Sequence, residues 1–167
     1  IANALVSFAE HTVSLVAVCT DQRRDGRPVT GLAFNSIGRF AQGGLLRERF
    51  LPRLHAAPPD SLLDASGARF DSAAVTRVLM RNEKPGGHGD RAAAVAALEL
   101  AFWDLNAKLA GEPAWQTIAR HFGHTPQGQG VPVYAAGGYY YPPGHAGSLA
   151  DELRAYQDQG YTAFKMK

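Results

Sequence analysis

The sequence predicts an α+β domain followed by the first strand–helix–strand unit of an incomplete (β/α) barrel. Two alternating apolar runs near the N-terminus flank an Asp25-Gly26 turn, which reads as an antiparallel hairpin. A long segment, Asp90 to Ala110, places Val95, Leu98, Phe102, Leu105 and Leu109 at helical spacing on one face. Past a polar, Gly-rich stretch at Thr125 to Gly130, the order becomes strand, loop, helix, strand, the repeat of a parallel sheet or barrel. These shifts divide the chain into 1–127 and 128–167. One such unit cannot bury both faces of its sheet, and a complete barrel takes about 250 residues. The expectation is therefore an N-terminal portion that stops after the second barrel strand.

The elements follow in order. Thr12 to Asp21 and Val29 to Asn35 are the hairpin strands. Gly43-Gly44 precedes a short helix over Leu45 to Leu54, which Pro52 bends or ends. Pro58-Pro59 interrupts the chain before a weak helical turn near Ser61 to Ala65. Asp71 to Met80 is a helix with Asp71 or Ser72 as its cap. Asn82 to Gly89 holds three glycines and a proline and forms a loop. Asp90 caps the long helix, and Gly111 and Pro113 stop it. Ala114 to Phe122 is a further helix ended by Gly123. In the second part Val131 to Ala136 is a strand, Gly137 to Gly147 a loop, and Ser148 to Gln159 a helix with a Ser148/Asp151 capping box. Tyr161 to Lys167 is the second strand.

Composition narrows the function classes. Among 167 residues, 46% are hydrophobic and 19% charged, enough for a packed core. Seventeen basic and 15 acidic side chains give a net charge of +2, too balanced for a strong nucleic-acid footprint. The single cysteine, Cys19, excludes an internal disulfide and a multi-cysteine zinc site. No apolar run is long enough to span a bilayer, and Ile1-Ala2-Asn3-Ala4 lacks the basic start of a signal peptide. The chain also lacks an initiator Met, and the expectation is a cytoplasmic protein whose first residues precede Ile1.

Three segments could carry chemistry. In Lys165-Met166-Lys167 the two lysines share one face of a strand, with Phe164 and Met166 on the other. Catalytic groups sit at the C-terminal ends of barrel strands. Two ammonium groups on one face repel, which favours the neutral amine that a general base needs. The same tripeptide also fits two solvated lysines on an edge strand. Glu83-Lys84-Pro85-Gly86-Gly87-His88-Gly89 is a glycine-rich turn entering a helix N-terminus, an arrangement suited to a carboxylate. It lacks the P-loop order, and it fits an ordinary interhelix loop as well. His88 has no partner at metal-ligand spacing. Tyr139-Tyr140-Tyr141 follows the first barrel strand, where one phenol could meet a polar substrate or simply pack. Asn3 and Asn35 are individually uninformative.

The string Ala94 to Leu105, with Ala107-Lys108 and Gly111-Glu112-Pro113, resembles a signature helix of the mandelate racemase and muconate lactonizing branch of the enolase superfamily. The order of parts is similar too: an α+β capping domain over 1–127, then a barrel whose second strand ends in Lys-x-Lys. Within that branch, Asn82 to Gly89, Tyr134 to Pro142 and Phe164 to Lys167 resemble the D-tartrate dehydratase group of acid-sugar dehydratases.

The resemblance implies a Mg²⁺-dependent hydro-lyase acting on a small hydroxy-diacid. It implies Lys167 as the base that removes the α-proton, and Lys165 as the cation that contacts the same carboxylate and stabilises the enediolate. Lys84, Tyr139, Asn35 and Asn3 are the implied substrate-binding residues. The Mg²⁺ ligands and the His acid are implied on later strands, so no metal ligand is expected in this chain and the isolated piece is expected to be inactive. The tartrate-specific pattern has a second Asn after Phe-Asn-Ser, where this chain has Ile37. An apolar side chain there cannot bond a substrate hydroxyl, which points to a different diacid sugar. Two alternatives stay open: a racemase or epimerase using the same lysine base, and a non-catalytic binding or assembly domain. The expected partner is a small hydroxy acid, with no nucleic acid or membrane, in a homo-oligomer.

Overall fold

The computed structural model describes residues 9, 11–35, 42–85, 89–128, 130–139 and 147–166. It is a mixed α+β fold with two small sheets and several helices, and no barrel is present among the described residues. Two compact units are distinguished, one spanning His11–Pro126 and the other holding Gln127–Lys167. No helix among the described residues is long and apolar enough to cross a membrane.

In the first unit, β1 (Leu15–Arg24) pairs antiparallel with β2 (Arg27–Phe34). Asp25 and Gly26 both take positive φ, 51° and 75°, as the two-residue turn of a right-twisted hairpin requires. A bulge lies between Cys19 and Arg23. The first strand starts three residues later than its apolar run suggests, because Leu15 is the first residue with a partner, Phe34.

A helical run follows: α1 (Gln42–Leu45), a π segment (Leu46–Phe50) and α2 (Leu51–His55). This corrects the expected helix over Leu45 to Leu54. Gly43 and Gly44 lie inside the run, and Pro52 does not end it. Pro52 has no N–H and its ring crowds the carbonyl of Glu48. The wider π turn just before it, with the Leu51 N–H bonded to the Leu46 carbonyl, lets the helix continue. Burial of Leu46 and Phe50 holds this run against the core. The weak turn is a 3₁₀ segment at Pro59–Leu62, earlier than expected.

Helix α3 (Ser72–Leu79) is capped by Asp71, whose side chain accepts from the Ala73 N–H at 2.9 Å. Helix α4 (Asp90–Ala110) runs through the middle of the unit. Its cap is Gly89 rather than the expected Asp90, which lies in the first turn without capping it. More than one face is buried: Val95, Leu98 and Leu105 pack inward, and so do Ala94, Ala97 and Ala101. Helix α5 (Ala114–His121) packs beside α4.

The alanines of α4 let the hairpin backbone come close. A Cβ on Gly31 would collide with the Ala101 carbonyl oxygen and lie 2.6 Å from the Leu105 Cβ. The outer edge of β2 is then closed by α4 side chains. The Leu32 N–H donates to Asp104 Oδ2 at 2.7 Å, and Lys108 Nζ donates to the Thr30 carbonyl at 3.0 Å and to Asp104 at 2.5 Å. Backbone groups that an edge strand leaves open are thus paired within the unit.

In the second unit, β3 (Ala135–Gly137) and β4 (Phe164–Met166) are parallel, with α6 (Leu149–Asp158) between them in sequence. The expected strand at Val131 to Ala136 is corrected to Ala135–Gly137, and the second strand shortens to Phe164–Met166 among the described residues. Val131 and Val133 have strand-forming side chains but are exposed and unpaired with β4. Ser148 and Asp151 form the capping box at the start of α6. The Ser148 hydroxyl and backbone N–H hold the Asp151 carboxyl below its ordinary range, against a smaller opposing effect of burial.

Two stability effects follow. Gly31→Ala should destabilise the protein by about 2–3 kcal/mol, because the collision is with backbone that cannot rotate away. An unchanged urea midpoint would contradict the close approach. Ser148→Ala should cost about 1 kcal/mol at the α6 cap, read as increased amide exchange over 148–152.

Candidate functional site

A strand's side chains alternate between its two faces, and paired residues in a parallel sheet share a face. Ala135 pairs with Phe164, Ala136 with Lys165, and Gly137 with Met166. Helix α6 covers one of these faces. A Cβ on Gly137 would lie 2.5 Å from Glu152 Oε1 and 2.9 Å from Tyr156 Cε2, both on α6. Gly138 lies against Leu149 Cδ1 and against Met166 Cβ. Gly137, Met166 and, two residues away, Ala135 and Phe164 therefore belong to the helix side. Burial agrees on β3, where Ala135 and Gly137 are buried and Ala136 is exposed. Lys165 and Ala136 occupy the face away from α6. Lys165, Phe164 and Met166 are all exposed, so strand register rather than exposure separates the two faces.

Tyr139 lies two residues past the end of β3, at the same end of the sheet as Lys165 near the end of β4. It is partly exposed, at 37%. The segment that carries it is anchored by Glu152. Its Oε2 accepts the Gly138 N–H at 3.1 Å, and its Oε1 accepts the Tyr156 hydroxyl at 2.9 Å. Lys167 lies outside the described residues, as do Asn3, Ile37 and His88.

In the first unit, Asn35 is buried at the open end of the hairpin. Its Oδ1 accepts the Ser14 N–H at 2.9 Å, and its own N–H donates to the Ser14 carbonyl at 3.2 Å. The side-chain oxygen is therefore committed to closing the sheet. The buried Nδ2 has no partner among the described residues. Lys84 is exposed in the turn between α3 and α4.

The residue before Lys84 forms the densest charged contact in this unit. Glu83 keeps 8% of its side chain exposed and meets Arg53 at 2.8 Å, Arg91 at 3.1 Å and Arg49 at 3.5 Å. In the sequence Glu83 stands out only as part of a loop. A signal was present: Arg49 and Arg53, four apart, needed an acid from elsewhere in the chain. Burial pushes the Glu83 carboxyl pKa up. The hydrogen bonds from Arg53 and Arg91, with the charges of Arg49 and Arg53, outweigh that and hold it below its ordinary 4.5.

A cavity of about 560 Å³ lies among α3, α4 and α5, lined by Ser72, Thr76, Glu99, Trp103, His121 and Phe122 among others. Glu99 accepts from the Ser72 hydroxyl and from Trp103 Nε1. Asn35, Lys84, Tyr139 and Lys165 do not line it. Among the described residues no group of three or more His, Cys, Asp or Glu side chains could hold a metal ion. No protein-family model matches the chain.

The Glu83 contacts stabilise the fold while the carboxyl is ionised. Their contribution is complete above about pH 4.5 and disappears as the pH falls through the lowered folded value. Glu83→Gln should flatten the acid limb of the stability–pH curve and leave its shape above pH 6 unchanged. Parallel curves for the two proteins across pH 3–5 would contradict this.

Proposed function

We propose that this chain belongs to an acid-sugar dehydratase of the enolase superfamily, in the mandelate racemase and muconate lactonizing branch. In this reading 1–127 is the capping domain and 128–167 begins the (β/α) barrel. One observation carries the reading: Lys165 lies near the C-terminal end of a strand in a parallel β-α-β unit, on the face opposite the helix. In a barrel that face is the interior, and that end is where chemistry occurs. The signature-like α4 and the Asn82 to Gly89 string add support from sequence.

The reaction proposed is dehydration of a small hydroxy-diacid, with D-tartrate as the reference substrate and a related diacid sugar favoured by Ile37. Lys167, as a neutral amine, takes the proton α to the carboxylate. The C–H electron pair moves into the enediolate, whose negative charge faces the Lys165 ammonium. Collapse of the enediolate breaks the bond to the β-hydroxyl, which takes a proton from the acid proposed on a later strand and leaves as water. The resulting enol becomes a 2-keto acid. Lys84 and Tyr139 bind polar groups of the substrate, with Asn3 as a further candidate. Asn35 is the weakest of these candidates, since its oxygen holds Ser14 and its Nδ2 is buried.

In this family Mg²⁺ supplies charge stabilisation to the carboxylate. The described residues of this chain do not form a set that fits the ion. Its ligands are proposed on later strands, and none is assigned here.

The test uses the full-length protein with D-tartrate and related diacid sugars in deuterated solvent. Lys167→Ala should reduce α-proton exchange by about a thousandfold, and the wild type should release a 2-keto acid. Retained exchange would remove Lys167 as the base. A stereoisomer as the product would replace dehydration with epimerisation.

A further inference from the structure

We propose that Glu83 is a positioning residue that fixes Lys84 for recognition of a substrate carboxylate, a role that rests on the dehydratase reading above. Glu83 Oε1 bonds Arg53 of α2, and its Oε2 meets Arg91 of α4 and Arg49 of the π segment. The same Arg91 Nη1 also donates to the Lys84 carbonyl at 3.1 Å. Arg53 Nη1 in turn donates to the Leu79 carbonyl at the end of α3, at 2.6 Å. Two helical runs thus converge on Glu83, and one of them, through Arg91, also holds Lys84.

Local backbone geometry adds to this. Asn82 takes a left-handed φ of 62°, rare for a residue with a side chain, and the Glu83 N–H closes on the Met80 carbonyl at 3.0 Å. The chain turns sharply out of α3, the Glu83 side chain goes inward, and the next side chain, Lys84, is exposed. The clamp sets where a flexible lysine stem begins. A lysine held this way loses less freedom when it pairs with a carboxylate.

The electrostatics favour an anion. One carboxylate among three guanidiniums leaves this corner with an excess of positive charge, and Lys84 adds to it. The ion-pair partners of Glu83 among the described residues are Arg49, Arg53 and Arg91. A diacid approaching Lys84 meets a cationic surface rather than a neutral one.

The experiment measures D-tartrate kinetics for full-length wild type, Glu83→Gln, Lys84→Ala and the double variant. Glu83→Gln should raise KM about tenfold and leave kcat within about threefold, as expected when ground-state binding is lost. The double variant should be no worse than Lys84→Ala alone, since both changes remove one function. Additive losses would overturn the positioning role. If Glu83→Gln does not fold, Arg91→Gln carries the test, because it removes the bond to the Lys84 carbonyl. Amide exchange over 82–84 separates this inference from the dehydratase reading. Without turnover of any diacid, exchange that rises in Glu83→Gln at 82–84 by more than in the rest of the chain still supports the clamp. Unchanged exchange contradicts it.

Discussion

The absence of a side chain at Gly137 lets α6 lie against β3. Glu152 and Tyr156 occupy the space that a Cβ would need. That contact decides which face of the sheet is covered, and the alternation of strand side chains decides the rest. Met166 goes with Gly137 to the helix side, and Lys165 goes to the other. The same helix, through Glu152, holds the first backbone N–H after the strand. One close approach therefore orients a lysine and anchors the segment that bears Tyr139.

The first unit uses the same device with different partners. Gly31 admits the hairpin to within contact of α4, and Asp104 and Lys108 complete the hydrogen bonds of its outer edge. Asn106 does similar work on the other side, pairing both of its amide atoms with the backbone of Phe70. Helix α4 is thus a scaffold whose polar side chains, Asn106 buried among them, tie down neighbouring backbone. Arg91, in its first turn, extends that role to Glu83 and Lys84. The turn that bears Lys84 is thus tied to helical segments on either side of it.

Local chemistry made much of this fold legible in the sequence. The Asp25-Gly26 turn, the Asp71 cap and the Ser148/Asp151 box each depend on residues within a few positions of one another, and each forms as read. The spacing in Asp90 to Ala110 gave the helix its full length. Misreadings occurred where distant partners decide. Val131 and Val133 favour a strand, but a strand exists only where β4 offers hydrogen bonds, which is opposite Ala135–Gly137. Burial of Leu46 and Phe50 carries a helix over two glycines and past Pro52, against local propensity.

The candidate residues divide in the same way. Lys165 could be placed on a face because alternation along a strand is a local rule. Asn35 is uninformative in sequence, because Ser14, 21 positions away, holds its oxygen. Glu83 gained its importance only from arginines brought in from other elements. The claim that Lys165 faces a substrate is tested most directly by acylating the full-length protein with an amine reagent, with and without a hydroxy-diacid and Mg²⁺, and locating the label by peptide mass. The account predicts that the diacid protects Lys165 while lysines remote from the site label equally. Equal labelling of Lys165 in both conditions would contradict it.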